Sequence, residues 1–599
     1  MNNIGLTRDV FLGCMSAIYL FAFTSLYVQI PGLYGDHGIL PAKLVLDKEA
    51  ESWDELMEGQ PTLLKLTPKL GLDIQTGMDL LCLSGIIISF MSLVFKGARD
   101  VVSFTLLWML YLSLYQVGQT FLWFQWDILL LEAGFLTILV APFSLQLPFR
   151  RWKMSRYHQH DTITLWLVKW LLFRLMFASG VVKLNSKCPT WWGLTALNWH
   201  FESQCIPNPL AWYWHHFPEW FLKLSTVMTF VIEIPIPFLF FSPVRSLRVF
   251  SFWAQILLQV AIILTGNYNF FNWLTIVLCI PLLDDDFFRK KRNLKAKKSR
   301  IGMLIESIAA IAVYSYLAFQ TYKFFSLKIN SDYSVHSEIA FSEKKYFKWL
   351  EMVTPWTIWI GGISLGYEIL LAIMRSLLKE KGVFSKASST IQCLLFGALA
   401  AGMFSISLVP HTVIDGKAHR NIPAEIRAWH GRTDPFQITN SYGLFRVMTG
   451  VGGRPELIIE GSHNRDKGWK PYEFLYKPGS VDRRPPIVAP HQPRLDWQMW
   501  FAALGSYQHN PWVLNLVYRL LNGEKDVLEL IDHNPFPGNP PKYMRATLYH
   551  YHYTSNNESS QRYSKQDWWV REEKANYIPV LSLEEPTFKQ YLEHIKLLD

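Results

Sequence analysis

Charge is what this 599-residue sequence has little of. Asp, Glu, Lys and Arg together make up 18% of it, below the roughly 25% usual for soluble domains. That argues against the string of soluble domains its length alone would suggest. Cysteine is scarce as well. The six are Cys14, Cys82, Cys188, Cys205, Cys279 and Cys393, with no CxxC among them, so a thioredoxin-type redox enzyme is not expected. Zinc-finger spacing and a GxGxxG motif are both missing. Gly450-Val451-Gly452-Gly453 lacks the following Lys-Ser/Thr of a phosphate loop and reads as a turn between strands. No internal repeat or low-complexity linker appears. The chain ends Lys596-Leu597-Leu598-Asp599 rather than in a Lys-Asp-Glu-Leu signal, so retention in a compartment would have to come from elsewhere in the chain or from a partner.

What is present is apolar residues, 50% of the chain, gathered into runs long enough to span lipid, about 20 residues each. The runs are Val10–Gln29, Met78–Phe95, Val101–Gln119, Phe121–Phe143, Ile163–Leu184, Trp220–Phe241, Leu247–Gly266, Tyr268–Leu283, Ile301–Tyr322, Pro355–Met374 and Ile391–Pro410, about eleven candidate spans. Tyr268–Leu283 is short and suits a tilted or re-entrant segment. Val10–Gln29 reads as a signal anchor rather than a cleaved signal, because its basic leader is weak and no small-x-small site follows.

The formal net charge of +10 then has a topological meaning, not a nucleic-acid one. Lys96 and Arg99, then Arg150, Arg151, Lys153 and Arg156, then Arg245 and Arg248, then Arg289 to Arg300, then Arg375, Lys379, Lys381 and Lys386 fall in alternate loops. By the positive-inside rule those loops and the N-terminus are cytoplasmic. Loops 30–77, 185–219 and 323–354 and everything after Pro410 then face the lumen or exterior.

These patterns predict a polytopic α-helical membrane bundle over residues 1–410 and a soluble domain over 411–599. In the tail, Leu444–Thr449, Pro455–Glu460, Trp469–Tyr476 and Tyr543–Tyr553 have strand character, and Leu495–Leu504 and Trp512–Leu521 read as short helices. A β-sandwich-like domain with inserted helices is the expectation.

Ionisable groups inside spans are costly and mark sites or structural pairs. Glu132 and Arg174 fall at similar depth on consecutive antiparallel spans and are expected to pair. Glu233 is similarly deep, ahead of the helix-breaking Pro235 and Pro237. Asp127, Lys169 and Glu368 add to this polar inventory. The alternatives are a polar cavity for a lipid, quinone or peptide, or pairing that holds the bundle together, and the second is preferred. Cys188 and Cys205 share the 185–219 loop, where a bond would close a loop of about 18 residues and contribute roughly 3 kcal/mol. Two buried free thiols are the alternative. A metal site from His200, Glu202, His215 and His216 is not supported by spacing. His550 and His552 share a strand face. Gly362-Ile363-Ser364-Leu365-Gly366 matches G-x-S-x-G, but inside an apolar run it suits helix packing, not a nucleophile elbow. Asn557-Glu558-Ser559 is the one glycosylation sequon.

Long motifs in fixed order carry a family resemblance. Phe121–Leu136, Phe173–Leu184, Cys188-Pro189-Thr190-Trp191-Trp192, Leu194–Leu197, His200–Pro207, Met448–Glu456 and Pro490–Leu504 resemble the lipase maturation factors, and the tail is more similar to the second vertebrate paralogue than to the first. The resemblance implies an endoplasmic reticulum membrane protein that helps secretory clients fold, homodimeric lipases such as lipoprotein lipase among them, together with the folding machinery and lipid of that membrane. It implies no enzyme, cofactor, metal or nucleic-acid partner. The tail would hold the client, and within Pro485–Trp500 the residues Arg494, Trp497 and Trp500 are the candidate contacts. Tyr34-Gly35 and Gly38-Ile39-Leu40-Pro41 are distantly similar to the membrane part of the vitamin K-dependent carboxylase. The alternative reading is therefore an intramembrane lipid-binding protein or membrane enzyme built on Glu132, Arg174 and Glu233.

Overall fold

The computed structural model describes residues 4–46, 55, 59–143, 157–288, 300–555 and 567–598. Each of the eleven apolar runs folds as helix. They give α1 (Gly5–Tyr27), α2 (Ile74–Val94), α3 (Val101–Val117), α4 (Gln125–Val140), α5 (Asp161–Asn185), α6 (Glu219–Glu233), α7 (Arg245–Thr265), α8 (Phe271–Cys279), α9 (Arg300–Phe324), α10 (Glu343–Lys379) and α11 (Val383–Thr412). Eight helical stretches among the described residues are long and apolar enough to cross a membrane. The other three, α3, α4 and α8, have 17, 16 and 9 residues, and a helix rises only about 1.5 Å per residue.

Local chemistry sets the breaks. Asp73 and Asp100 cap α2 and α3 by accepting the backbone N–H groups of Thr76 and Ser103. The run expected over Phe121–Phe143 is interrupted at Trp123-Phe124, and α4 starts only at Gln125. Pro235 ends α6 at Glu233, and the chain continues as a 3-10 turn over Ile236–Phe241.

Helix α5 is the hub, packed against α4, α6, α8, α10 and α11. At the end of the bundle that holds the start of α1, Asp9 pairs with Lys96 (2.8 Å) and Arg99 (3.0 Å), and Arg245 pairs with Asp284 (2.6 Å). The basic clusters at 150–156 and 289–299 lie outside the described residues. At the other end of α1, Ser25 and Gln29 meet the tail. The Gln29 side chain donates to the Gln492 carbonyl (2.8 Å) and accepts the Arg494 N–H (2.8 Å).

The tail is built on one four-stranded antiparallel sheet. After a small hairpin, β1 (Lys328–Ile329) with β2 (Val335–His336), the chain supplies β3 (Arg454–Ser462), β4 (Lys470–Pro471), β5 (Glu473–Phe474), β6 (Ile531–His533), β7 (Tyr543–Tyr553) and β8 (Trp569–Leu581). Their order in the main sheet is β4-β3-β7-β8, with Arg454 opposite Tyr551 and Ser462 opposite Tyr543. A sandwich needs a second sheet face to face with the first. Among the described residues the only other tail sheet is the short β5–β6 pair. The helix α12 (Arg494–Ala503) packs on β3 instead.

One further expectation changes, and one strand was not expected at all. Leu444–Thr449 forms no strand, because its backbone groups are spent on the bundle. Strand β8 is longer than any strand expected from sequence. Its run Arg571-Glu572-Glu573-Lys574 lies on the sheet's outer strand, where charge guards an open edge against further pairing. One continuous buried core runs from α1 and α5 into α12 and β3.

Candidate functional site

One buried ion pair, Arg8–Asp161 (2.7 Å), lies near the start of α1, and three others, those of Glu132, Asp127 and Glu233, lie where the tail enters the bundle. Glu132 is seven residues into α4, about 10 Å along the helix. It is buried, and Arg174 of α5 donates to its Oε1. The second carboxylate oxygen accepts the Asn440 backbone N–H (2.8 Å) and the Tyr442 hydroxyl (2.6 Å). Arg174 in turn donates to the Asn440 carbonyl (3.0 Å). The expected pair is formed, and two tail residues complete it. Each charge meets its opposite, and Arg174 uses both terminal nitrogens while its Nε has no partner among the described residues; the pairing offsets much of the desolvation a buried ion suffers.

A second pair lies beside the first turn of α4. Arg494 grips Asp127 through two bonds, 3.0 Å to Oδ1 and 3.2 Å to Oδ2. Tyr111 donates to Asp127 Oδ1 (2.6 Å), and Arg494 also donates to the Phe121 carbonyl (2.7 Å). Such forked geometry is what a guanidinium supplies and an ammonium does not. Arg494 and Asp127 are both 0% exposed. This removes Arg494 from the expected client contacts. Trp497 and Trp500 go with it. Trp497 is buried edge-on against Trp126, with ring centroids 4.7 Å apart. Trp500 is buried and donates to the Ser203 carbonyl (2.9 Å). In sequence the aromatic and basic residues of this segment look exposed; burial against the bundle hides all three.

The third pair is Lys183–Glu233, 2.6 Å apart. Lys183 also donates to the Ser179 carbonyl (3.0 Å), and its ammonium lies 5.3 and 5.7 Å from the rings of Trp191 and Phe445. Phe445 belongs to the tail loop that was expected to be a strand. That loop enters the bundle by its backbone. Gly443 N–H donates to Gln125 (3.1 Å), the Phe445 carbonyl accepts Trp191 Nε1 (2.9 Å), and Met448 N–H points at Cys188 Sγ (3.4 Å). Three glycines at positive φ, Gly450, Gly452 and Gly453, then turn the chain into β3.

Arg454, first in β3, closes the seam. It donates to the carbonyls of Glu202 (3.2 Å), Gln204 and Cys205 (2.7 Å), and it pairs with Glu456, which Lys477 also approaches (2.9 Å). Glu202 accepts the Tyr553 N–H (3.2 Å) and lies 3.4 Å from His552 Nδ1 and 3.7 Å from His215 Nε2. Burial pushes the Glu202 carboxyl up and holds His215 down to about 4. No group of three or more metal-ligating side chains that could hold a metal ion occurs among the described residues.

The expected Cys188–Cys205 bridge is not formed, and both are buried free thiols. Burial raises the Cys188 thiol, but contacts from Thr190 and the Met448 N–H outweigh it and leave its pKa below the usual value. Burial drives Cys205 well above. Ser364 of the G-x-S-x-G match accepts Trp166 Nε1 (2.9 Å) between α10 and α5, a packing contact with no elbow. Asn557 lies outside the described residues.

Sequence reasoning found Asp127, Glu132, Arg174 and Glu233, but it missed the partners Lys183, Arg494, Asn440, Tyr442 and Arg454. Lys183 and Arg454 lie in the quoted motifs. An ionisable residue there was the available signal. The pairings themselves join residues more than 300 positions apart for Glu132 with Asn440 and Asp127 with Arg494, beyond the reach of periodicity.

The family model described as the lipase maturation factor transmembrane domain matches residues 6–290, and that of the lipase maturation factor C-terminal domain matches residues 438–579. The seam joins the two matched regions. Lipase maturation factor 2 of Xenopus laevis is 50% identical, covering 100% of this chain and 85% of the relative. The Homo sapiens protein of that name is 45% identical over 99% and 85%. Homo sapiens lipase maturation factor 1 is 31% identical over 97% and 88%. No solved structure matches.

Proposed function

The chain belongs to the lipase maturation factor family, and on that premise we propose that it is an endoplasmic reticulum membrane protein that assists the folding, assembly and export of secretory proteins. Its clients on this reading are lipases, homodimeric ones such as lipoprotein lipase first, working alongside the folding machinery of that membrane. The N-terminus is cytoplasmic and the tail lumenal, in line with the basic loops.

The observation that carries the reading is the match to named maturation factors over essentially the whole chain. The seam supports a scaffold rather than a catalyst. The buried Glu132, Asp127 and Glu233 are each held by a cation, and for Glu132 and Asp127 tail groups join in. A general acid or base must instead reach a proton on a substrate.

The test is secretion of active lipase from cells lacking the chain. Wild-type chain should restore it, and a chain carrying Glu132→Gln should restore it in proportion to the amount of folded protein it yields. Normal lipase secretion without the chain would reject the reading. Full folding with abolished secretion in the Glu132→Gln variant would move the activity into the bundle.

A further inference from the structure

Away from the seam the tail carries a groove of about 530 Å³. The turn between β3 and β4 forms one wall, with Ser462, His463, Asn464, Lys467 and Lys470. The loop after β6 forms the other, with Phe536 and Asn539. Its floor is set by a close approach. A Cβ on Gly461 would meet Phe536 at 2.7 Å and Pro541 at 2.8 Å, so only glycine lets the second loop lie against β3. The turn is tied internally. Ser462 Oγ donates to the Lys467 carbonyl (2.6 Å), and the Asn464 side-chain oxygen accepts the Asp466 N–H (2.9 Å). That fixes the wall and leaves the Asn464 amide nitrogen without a hydrogen-bond partner among the described residues.

The charge is one-sided. Lys467 and Lys470 make no ion pair among the described residues, and Arg465 sits beside them. Of the acids nearby, Asp466 lies in the turn itself, Glu460 on β3, opposite Pro471, is committed to Arg545 (2.8 Å), and Asp532 is committed to Arg483 (3.2 Å). Two free ammonium groups over a shaped polar wall favour an anionic ligand. Its class follows from what the groove offers. Phe536 is buried, with the His463 ring perpendicular to it (centroids 5.3 Å apart) and Lys470 6.0 Å over its ring, so no open aromatic face is left for stacking a sugar or a base. Asn464 offers its side-chain nitrogen and Asn539 its side-chain oxygen, the Asn539 nitrogen facing His463 Nε2 across the groove at 3.5 Å. A donor and an acceptor are what a peptide backbone pairs with, and Pro535 and Pro537 add apolar wall.

We propose that this groove binds an extended acidic segment of a polypeptide, its carboxylates on Lys467 and Lys470 and its backbone on the amides of Asn464 and Asn539. The proposal deepens the maturation-factor reading, since a client would supply the segment. It is nevertheless measured without any lipase, so its failure and the failure of that reading are distinguishable.

The experiment is fluorescence anisotropy on the full chain in nanodiscs, with a labelled peptide alternating glutamate and alanine and its glutamine counterpart. The glutamate peptide should bind and the glutamine one should not. Affinity should fall as salt rises from about 0.05 to 0.5 M. Lys467→Glu with Lys470→Glu should weaken binding roughly tenfold. Both lysines are exposed, so the variant should keep the wild-type melting temperature. If it does not, Lys467→Gln with Lys470→Gln takes its place, with a smaller loss in the same direction. Equal binding of the two peptides, or unchanged binding by the folded variant, would overturn the proposal.

Discussion

Helices α5 and α9 are each 25 residues long and almost equally apolar, yet 94% of the most apolar stretch of α5 is buried and only 6% of that of α9. Hydropathy marks both for a membrane and separates neither. The difference is in the polar side chains. Helix α5 carries Arg174 and Lys183, each spent on a carboxylate of a neighbouring helix, and Trp166 and Trp170, whose indoles donate to Ser364 and Ser407 at 2.9 Å. Every face of α5 has a partner. Helix α9 meets the bundle along α7 and leaves Ile301, Leu304, Ile305, Ile308 and Ile311 exposed. It also lies between the residues matched by the two family models. A span's role is therefore read from the partners of its few polar groups. Apolar content is shared by core and lipid-facing helices alike.

The sharpest way to break this contrast is to remove one charge from the hub. Arg174→Met leaves Glu132 buried with only the Asn440 N–H and the Tyr442 hydroxyl. Uncompensated buried charges of this kind cost about 3–5 kcal/mol. The variant should give little folded, monodisperse protein in detergent. Arg494→Leu, which strands Asp127 in the same way, should behave alike. The double change Glu132→Leu with Arg174→Met should recover much of the loss, and strictly additive losses in that cycle would sink the pair.

Much of this hub was legible in the sequence. A carboxylate and a guanidinium at matching depth on adjacent antiparallel runs can hardly stay apart in lipid, so Glu132 and Arg174 were readable as a pair. The break after Glu233 followed from two prolines, and β7 from strict alternation over Tyr543–Tyr553. The entry of the tail into the bundle was not legible. Leu444–Thr449 has strand composition, but its Phe445 carbonyl and Met448 N–H find partners in Trp191 and Cys188, and tertiary contacts override local propensity. Arg494 and Trp497 resembled surface residues because nothing local reports that Asp127 and Trp126 lie opposite. Strand β8 was hidden by the charges that guard its free edge.

A smaller effect comes from pH, and it sharpens the contrast because it acts on the tail-facing loops that α5 anchors and not on α9. His200, His215 and His491 are each held down to about 4 by burial. Lys183 adds to this for His200, His216 and His552 for His215, and Arg494 for His491. In the unfolded chain each returns to about 6.5. Between about 4 and 6.5 the unfolded chain therefore binds protons that the folded chain refuses. Stability is complete above that window and falls as pH drops through it, by at most about 1.4 kcal/mol per pH unit for each histidine. Asp496, which burial pushes up to about 6, and Glu202, raised by burial, act in the opposite sense and subtract from the slope. Melting temperatures in detergent should fall from pH 7 to pH 5 (roughly, the upper part of the window). His215→Asn should flatten the fall, and an unchanged melting temperature across the window would refute the assignment.

The smallest expected effect is on α9 itself. Ile305 and Ile308 are 62% and 58% exposed, so truncating either to alanine opens no cavity and removes no packed neighbour. Substitutions away from packed features stay within about 0.5 kcal/mol. Ile305→Ala with Ile308→Ala should therefore leave yield and melting temperature in detergent unchanged, where Arg174→Met removes most folded protein. A loss above about 1 kcal/mol would mean that α9 packs on the bundle, and the contrast with α5 would fail. If the melting temperature holds while lipase secretion in cells drops, the exposed face of α9 is spent on a neighbour in the membrane, and its low burial marks an interface rather than a surface left to lipid. Stability and secretion measured on the same variant separate these outcomes, because only packing within the chain reaches the first and only contact outside it reaches the second alone.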